Sequence, residues 1–289
     1  MLDQVMETEP APLSLLEKAA KVLGAFEGAE PRLSLTEVVR RSGIPRSSAH
    51  RILDQLVQLR WLDREGRDYR MGMRMLELGA LASHHNRLRR AALPLLHALH
   101  EQTGQLVHLS VLDGAEVVCL ERIGGSEATT VPSRVGGRMP AYSTASGKAI
   151  LAFSDPDTVE RVLAQGLRPR TPRTLVRPLA LRSELAATRE RGIAHDREES
   201  FRGICCVAAP LRGAGRAIAA VSVSSCRGER ELARLAPAVL ACARAVWREL
   251  YGPGRAGRAA GAPPQDQEPA VSARAMDNMM GWLRFSEWM

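Results

Sequence analysis

The sequence predicts an α+β fold in two parts. Three helices and a hairpin come first, and a larger part built on a mostly antiparallel sheet follows. Three observations carry this. Apolar residues recur at helical spacing in three successive windows before residue 60, each closed by a stop signal. The period then shortens to two brief strands around Gly66. Beyond residue 105, paired alternating runs turn on Asp113-Gly114 and on the stretch from Arg212 to Arg216, with helical segments among them.

The first helix spans Leu13 to Phe26, with Leu16, Ala19, Ala20, Leu23 and Phe26 as its apolar set, and stops at Glu30-Pro31. The second opens with a capping box in which Ser34 is the N-cap and Glu37 reaches back. Its core contacts are Leu35, Val38 and Val39, and Gly43 suits the left-handed position just past its end. Pro45 fits the first turn of a third helix, where no N–H is needed. Ala49, Ile52, Leu53, Leu56 and Leu59 form the apolar side of this helix. Ser47, His50, Arg51 and Asp54 lie opposite, with Arg46 on the flank. Trp61–Arg64 and Asp68–Met71 read as strands joined at Gly66. That order is a winged helix-turn-helix.

In such a unit the N-terminal half of the third helix enters the DNA major groove. Arg46 and Arg51 pair with guanine edges or phosphate, and Ser47, Ser48 and His50 donate to either. Arg64, Arg67 and Arg70 on the wing are sequence-neutral phosphate contacts. Asp54, one turn further along, would repel the backbone and ends the contact zone. Between Arg32 and Arg74 there are ten arginines against five acids, in a chain of net charge +8. Charge alone is also what a solvated basic face shows. The polar third-helix face is what points to DNA rather than to a protein-docking winged helix.

Composition sets the outer limits. The chain has 289 residues, enough for one large or two ordinary domains, with 45% apolar and 25% charged residues, as soluble globular proteins have. No apolar run approaches the ~20 residues that span a bilayer, so no membrane partner is expected. The opening MLDQVMETEPAP is acidic and polar, unlike a secretory signal. Five cysteines without a CxxC fit a reducing cytoplasm better than a disulfide framework.

Met73–His85 and Arg87–Gln102 continue as helices, closed by Gly104. Leu106–Leu112 and Glu116–Leu120 make a strand pair, and Gly203–Leu211 and Ala217–Ser224 a second. Helices are expected at Ala145–Phe153, Asp155–Gln165, Leu181–Arg191 and Glu229–Tyr251. Residues two apart in a strand share a face, so Ser222, Ser224 and Cys226 point one way and Ala219, Val221 and Val223 the other; Ile204 and Cys206 likewise share a face. Small hydroxyls and thiols on one face suit a compact, mildly polar pocket, and equally a plain core. Pro140–Lys148 opens a helix whose free amides would suit a carboxylate, and Asp196 would order the pocket or accept from a ligand hydroxyl.

Catalytic and metal motifs fail their tests. Gly147-Lys148 is no Walker motif, because Tyr142 and Ala149 stand where Gly and Ser or Thr belong. No GxSxG surrounds a serine. His97, His100, and the adjacent His84-His85 lack metal-site spacing. Cys205 and Cys206 fall on opposite strand faces, and no basic partner such as His108 or His195 is placed beside Cys206 by spacing. No enzyme activity, cofactor or metal is therefore expected.

The run LSLTEVVRRSGIPRSSAHRILDQLVQLRWLDREGRDYRMGMRMLELG resembles the DNA-binding domain of IclR-type bacterial transcription regulators. The similarity continues through PAYSTASGKAILA, HDREESFRGICCVAAPL and AIAAVSVSS, and covers about residues 13 to 250. It implies a cytoplasmic repressor or activator, a homodimer or dimer of dimers on operator DNA. A linker helix would lead to a GAF/profilin-like effector-binding domain that takes a small metabolite, an organic acid or aromatic catabolite. The family's pocket maps onto Met139, Ala145, Ser146, Asp196, Ile204, Cys206, Ser222 and Ser224. Cys205 and Ser225 depart from the arginine and glycine frequent in the family, which bears on pocket polarity. The expected organisation is an extension (1–12), winged helix (13–73), linker helix (74–90), effector domain (91–251) and a Gly/Ala/Pro-rich tail (252–289). Two rival readings remain open: a metal- or redox-responsive regulator using Cys205 and Cys206, and a small-molecule-binding or enzymatic protein whose winged helix docks on protein instead of DNA.

Overall fold

The computed structural model describes residues 13–28, 30–124, 131–213, 215–226 and 228–252. The extension 1–12 and the tail beyond Gly252 lie outside the described residues. At the N-terminus, helices α1 (Leu15–Gly24), α2 (Leu35–Ser42) and α3 (Arg46–Gln58) pack on a small sheet of β1 (Leu33–Ser34), β2 (Leu62–Glu65) and β3 (Asp68–Met71). The strand order is β1-β3-β2, antiparallel throughout. The capping box forms as expected: the Ser34 side chain accepts from the Glu37 amide, and the Glu37 carboxylate accepts from the Ser34 N–H at 2.8 Å. Gly43 closes α2 at φ +68°, where an L side chain is disfavoured.

Three details differ from expectation. Val22 and Ala25 are buried while Leu16 is 82% exposed and Ala20 is also on the surface. Ala19, Leu23 and Phe26 pack on the core as expected, and Leu16 lies in the first turn of α1, which begins only at Leu15. Leu59 is 60% exposed because α3 ends at Gln58 and Arg60 turns the chain through a positive φ. Pro45 is the N-cap of α3, one position before the first turn.

Helix α4 (Met73–His85) leaves the hairpin, and Asn86 caps α5 (Arg87–Thr103) by accepting from the Arg89 amide. A six-stranded antiparallel sheet follows in the order β6-β5-β4-β9-β8-β7. The strands are β4 (Leu106–Asp113), β5 (Glu116–Ile123), β6 (Arg138–Pro140), β7 (Ala194–Arg197), β8 (Cys205–Gly213) and β9 (Arg216–Ser225). Strands β1 and β6, of two and three residues, carry too few to show a period of two, and β7 (AHDR) has a single apolar residue to mark it. One face, with Val107, Leu109, Val207, Val221 and Val223, packs under α5 and α9 (Glu229–Tyr251). The other lies against α6 (Ala145–Leu151), α7 (Pro156–Ala164) and α8 (Pro178–Arg191). Side-chain alternation along β9 therefore separates a valine face from a serine face, as its sequence predicts. Cys226, expected to share the serine face, is exposed past the strand end.

Helix α6 is buried along its whole length and crosses the turn Ala141–Ser143 closely. A Cβ on Gly147 would lie 2.1 Å from the Ala141 carbonyl oxygen and 2.4 Å from its Cα. Both neighbours are backbone, which cannot swing aside. Gly147→Ala is expected to lower stability by about 1–3 kcal/mol, the usual cost of overpacking. A denaturant melt reads this as a drop in midpoint at unchanged slope.

Candidate functional site

Two surfaces concern function. The first is α3. Ala49, Ile52, Leu53 and Leu56 anchor it in the core, so Arg46, Ser47, His50 and Arg51 stand outward and Ser48 is half-buried. Arg46 is held lightly by Thr36 Oγ1 at 3.3 Å. His50 Nδ1 lies 3.0 Å from Asp54 Oδ2, which ties that ring one turn down the helix. On the hairpin, Arg67 is exposed and Arg64 lies 5.6 Å from the Tyr69 ring centre, donating from Nε to the Gly66 carbonyl. Arg70 is placed differently. It pairs with Glu65 at 2.7 Å and with Asp63 at 3.5 Å, so much of its charge is already answered across the hairpin.

The second surface is a cavity of about 950 Å³ between the serine face of the sheet and the N-terminal end of α6. All eight expected pocket residues line it: Met139, Ala145, Ser146, Asp196, Ile204, Cys206, Ser222 and Ser224. They come from β6, α6, β7, β8, β9 and the turn before β8, and antiparallel pairing brings them together. Asp196 stands opposite Cys206, and Cys206 opposite Ser224. Ser146 Oγ donates to Ser222 Oγ at 3.0 Å, and Cys206 Sγ lies 3.0 Å from Ser224 Oγ.

Asp196 is 2% exposed. One of its oxygens accepts from the Glu199 and Ser200 amides at 2.7 and 3.4 Å, folding residues 196–200 into a tight turn with Glu198 at φ +62°. Burial pushes the Asp196 carboxyl up to about 6 against these amide bonds. Just behind, Lys148 is wholly buried and its Nζ pairs with Glu199 Oε1 at 2.5 Å. That lysine sits in α6 below the cavity and is not among its lining residues. The Gly147 amide donates to Thr144 Oγ1. One of the amides expected to meet a carboxylate is thus already taken.

The cavity also holds residues not singled out in the sequence, among them His108, Ser110, Cys119, Thr144, Ser133 and Ser200. Alternation along β4 puts His108 and Ser110 on one face, and the pairing of His108 with Ser222 puts that face on the cavity side. The signal was present in the sequence, but only the strand pairing makes it readable. Burial pushes the Cys206 thiol well above its ordinary range and Cys119 up to about 11. Protonated thiols are poor nucleophiles and poor metal ligands. His108 lines the same cavity as Cys206, yet its ring bonds Ser133 and the thiol bonds Ser224. Among the described residues no group of three or more His, Cys, Asp and Glu side chains is placed to hold a metal ion. None of the described helices is long and apolar enough to cross a membrane.

Comparison with known proteins matches both parts of the chain. Residues 15–66 match the IclR helix-turn-helix domain, and residues 80–248 match the bacterial transcriptional regulator IclR C-terminal family. The HTH-type transcriptional regulator XynR of Escherichia coli is 35% identical over 76% of this chain and 89% of its own length. A glycerol operon regulatory protein of Streptomyces coelicolor is 33% identical over 83% of this chain and 97% of its own. A solved IclR homologue from Microbacterium hydrocarbonoxydans, complexed with 4-hydroxybenzoate, superposes with a TM-score of 0.73 at 30% identity, covering 82% of this chain and 99% of that one. With both of its parts matched, this chain belongs to the IclR family of bacterial transcription regulators and carries that family's DNA-binding helix-turn-helix.

Proposed function

We propose that α3 reads operator DNA through Arg46, Ser47, Ser48, His50 and Arg51, that Arg64 and Arg67 hold the phosphate backbone, and that a small organic acid in the sheet cavity controls this binding. The observation that carries the reading is the convergence of the eight pocket residues from six chain segments onto one cavity. The 4-hydroxybenzoate of the solved relative supports an acid of that general class. Residues 13–73 act as the DNA-binding domain, α4 as the linker, and 91–251 as the effector-binding domain, without catalytic turnover and in the cytoplasm beside the chromosome.

The active species is a homodimer or a dimer of dimers. Helix α4 buries none of its side chains, and Met73, Leu76 and Leu81 are 56, 66 and 54% exposed. A second chain covering this face would set two α3 helices on the half-sites of a near-palindromic operator. Ligand acts by preferring one arrangement of the pair, and the shift in DNA affinity equals its differential affinity for the two.

Titration of the protein onto its own upstream DNA at 50 and 200 mM salt tests this. Six to ten phosphate contacts lower affinity by about 10³–10⁵ over that range through counterion release. Arg51→Ala is expected to cost roughly 1–3 kcal/mol on the operator and little on random DNA if it reads a base edge. Arg67→Ala lowers both equally and reduces the salt slope by about one per chain. A flat salt response, or equal affinity for random and upstream DNA, removes the reading.

A further inference from the structure

Two polar side chains on the cavity floor keep hydrogen-bonding capacity that no protein partner uses. His108 and Ser110 are 7 and 5% exposed and line the cavity. Among the described residues Ser110 Oγ makes no hydrogen bond, and His108 makes one, through Nε2 to Ser133 Oγ at 2.8 Å. Arg122 Nε donates to the same Ser133 oxygen at 3.0 Å, so the Ser133 hydroxyl hydrogen is best spent on Nε2. The imidazole is neutral, since burial and then the Arg122 charge push it down to about 4. With the Ser133 hydrogen on Nε2, the ring proton is on Nδ1, which has no hydrogen-bond partner among the described residues of the cavity lining. A donor left so costs the fold free energy that a ligand acceptor would return.

The far side of the floor has the opposite character. One oxygen of Asp196 accepts from the turn amides, and with the Ser200 side chain alongside, the carboxylate keeps acceptor capacity toward the cavity it lines. Asp196 lies on β7 and His108 on β4, with β8 and β9 between. Three strand spacings make about 14 Å across the sheet, and Asp196 stands two residues along from the row of His108, so the two positions are about 16 Å apart. Both side chains stand on the cavity face, and a hydrogen bond of about 2.8 Å at each end leaves roughly 8–10 Å between the polar ends of a molecule that reaches both. The β4 end is also the cationic end, with Arg122 behind Ser133 and Arg134 on the rim.

We propose that His108 and Ser110 form a subsite that takes the carboxylate of an elongated hydroxy acid, whose hydroxyl end is held by Asp196 with Cys206 and Ser224. The assignment rests on the cavity being the effector site. It gives the ligand a direction and a length: hydroxyl toward β7, carboxylate toward β4, and a spacer of a ring or five to six carbons. A two- or three-carbon acid spans only one of the two ends.

Calorimetry on the full chain tests it with four probes: 4-hydroxyphenylacetate, phenylacetate, 4-hydroxyphenethyl alcohol and lactate. The expected order places 4-hydroxyphenylacetate tightest, by tenfold or more over the other three. His108→Leu should weaken 4-hydroxyphenylacetate and phenylacetate at least tenfold and leave the alcohol unchanged. Asp196→Asn should weaken the two hydroxyl-bearing aromatic probes and leave phenylacetate unchanged. His108→Gln, which keeps an N–H donor, should recover part of the acid affinity, and Ser110→Ala serves as a second, milder lesion. Equal loss of acid and alcohol in His108→Leu would mean a structural role only and overturn the proposal. So would preference for lactate, or no binding by any of the four. Upstream DNA titration without ligand separates these failures from failure of the regulator reading, because it does not depend on the cavity.

Discussion

Glu199→Ala is expected to destabilise the C-terminal part by about 3–5 kcal/mol, because it leaves the Lys148 ammonium buried without its counter-charge. Lys148 is 0% exposed and Glu199 4% exposed, so water cannot replace the lost partner. The same carboxylate segment is knitted into its surroundings. Thr174 Oγ1 donates to the Glu199 carbonyl at 2.7 Å, and the Glu199 amide donates to Asp196. The alanine keeps those backbone bonds and loses the carboxylate oxygen that accepts from the Arg197 amide at 3.4 Å, which loosens the turn that presents Asp196 to the cavity. Guanidinium melts followed by tryptophan fluorescence and circular dichroism measure the loss. A change below 1 kcal/mol would mean that Lys148 reaches solvent or another acid. The double replacement Lys148→Met with Glu199→Leu should recover most of the stability, since a well-packed apolar pair of similar volume is often as stable as the ions it replaces.

Asp196→Asn should act in the opposite direction. The folded carboxyl titrates at about 6 against an ordinary value of 3.8. A group raised on folding stabilises fully below its unfolded value, and the benefit is lost as pH rises through the folded one. Wild-type stability thus falls between about pH 4 and pH 6 from this group, by roughly 3 kcal/mol in all. Asparagine keeps the oxygen that accepts from the Glu199 and Ser200 amides and carries no charge. The variant should be the more stable protein at pH 8 by up to about that amount, and the two should converge near pH 4. Paired denaturant curves at pH 4, 6 and 8 provide the comparison. A constant difference across pH would place the effect in packing rather than ionisation. The gain would come with weaker binding of hydroxyl-bearing ligands, an exchange of stability for function common at binding sites.

How far the sequence could be read depends on the range of the interactions involved. The capping box at Ser34 and Glu37, the left-handed Gly43 and the hairpin at Gly66 are local, and each follows from a few adjacent residues. The same holds for the face alternation of β9. Leu16 and Leu59 fit the helical period yet are exposed, because each lies at a helix end: Leu16 in the first turn of α1 and Leu59 past the end of α3, where Arg60 turns the chain. The pairing of Arg70 with Asp63 and Glu65 is not legible locally, because the three become neighbours only across the strand register. The eight pocket positions came from family resemblance, and the alternation in β8 and β9 agreed with four of them. His108 and Ser110 needed the pairing of β4 with β9, a contact between residues more than a hundred positions apart. Strand β7 is four residues long, so Asp196 had no local signal of its own.

Helix α4 has a consequence for how the two parts communicate. It has 13 residues and no buried side chain, so no core contact holds it in shape. That length is near the limit at which a helix persists alone in water. Its anchors are at its ends, where the Gly72 and Arg74 amides donate to Trp61 and Arg60 and Asn86 starts the next helix. Such a segment transmits force as a rod when its apolar stripe is covered and as a slack tether when it is bare. In the proposed dimer the stripe is covered, so α4 would act as the rod, and loss of pairing would cost both the spacing of the two recognition helices and the link to the sheet.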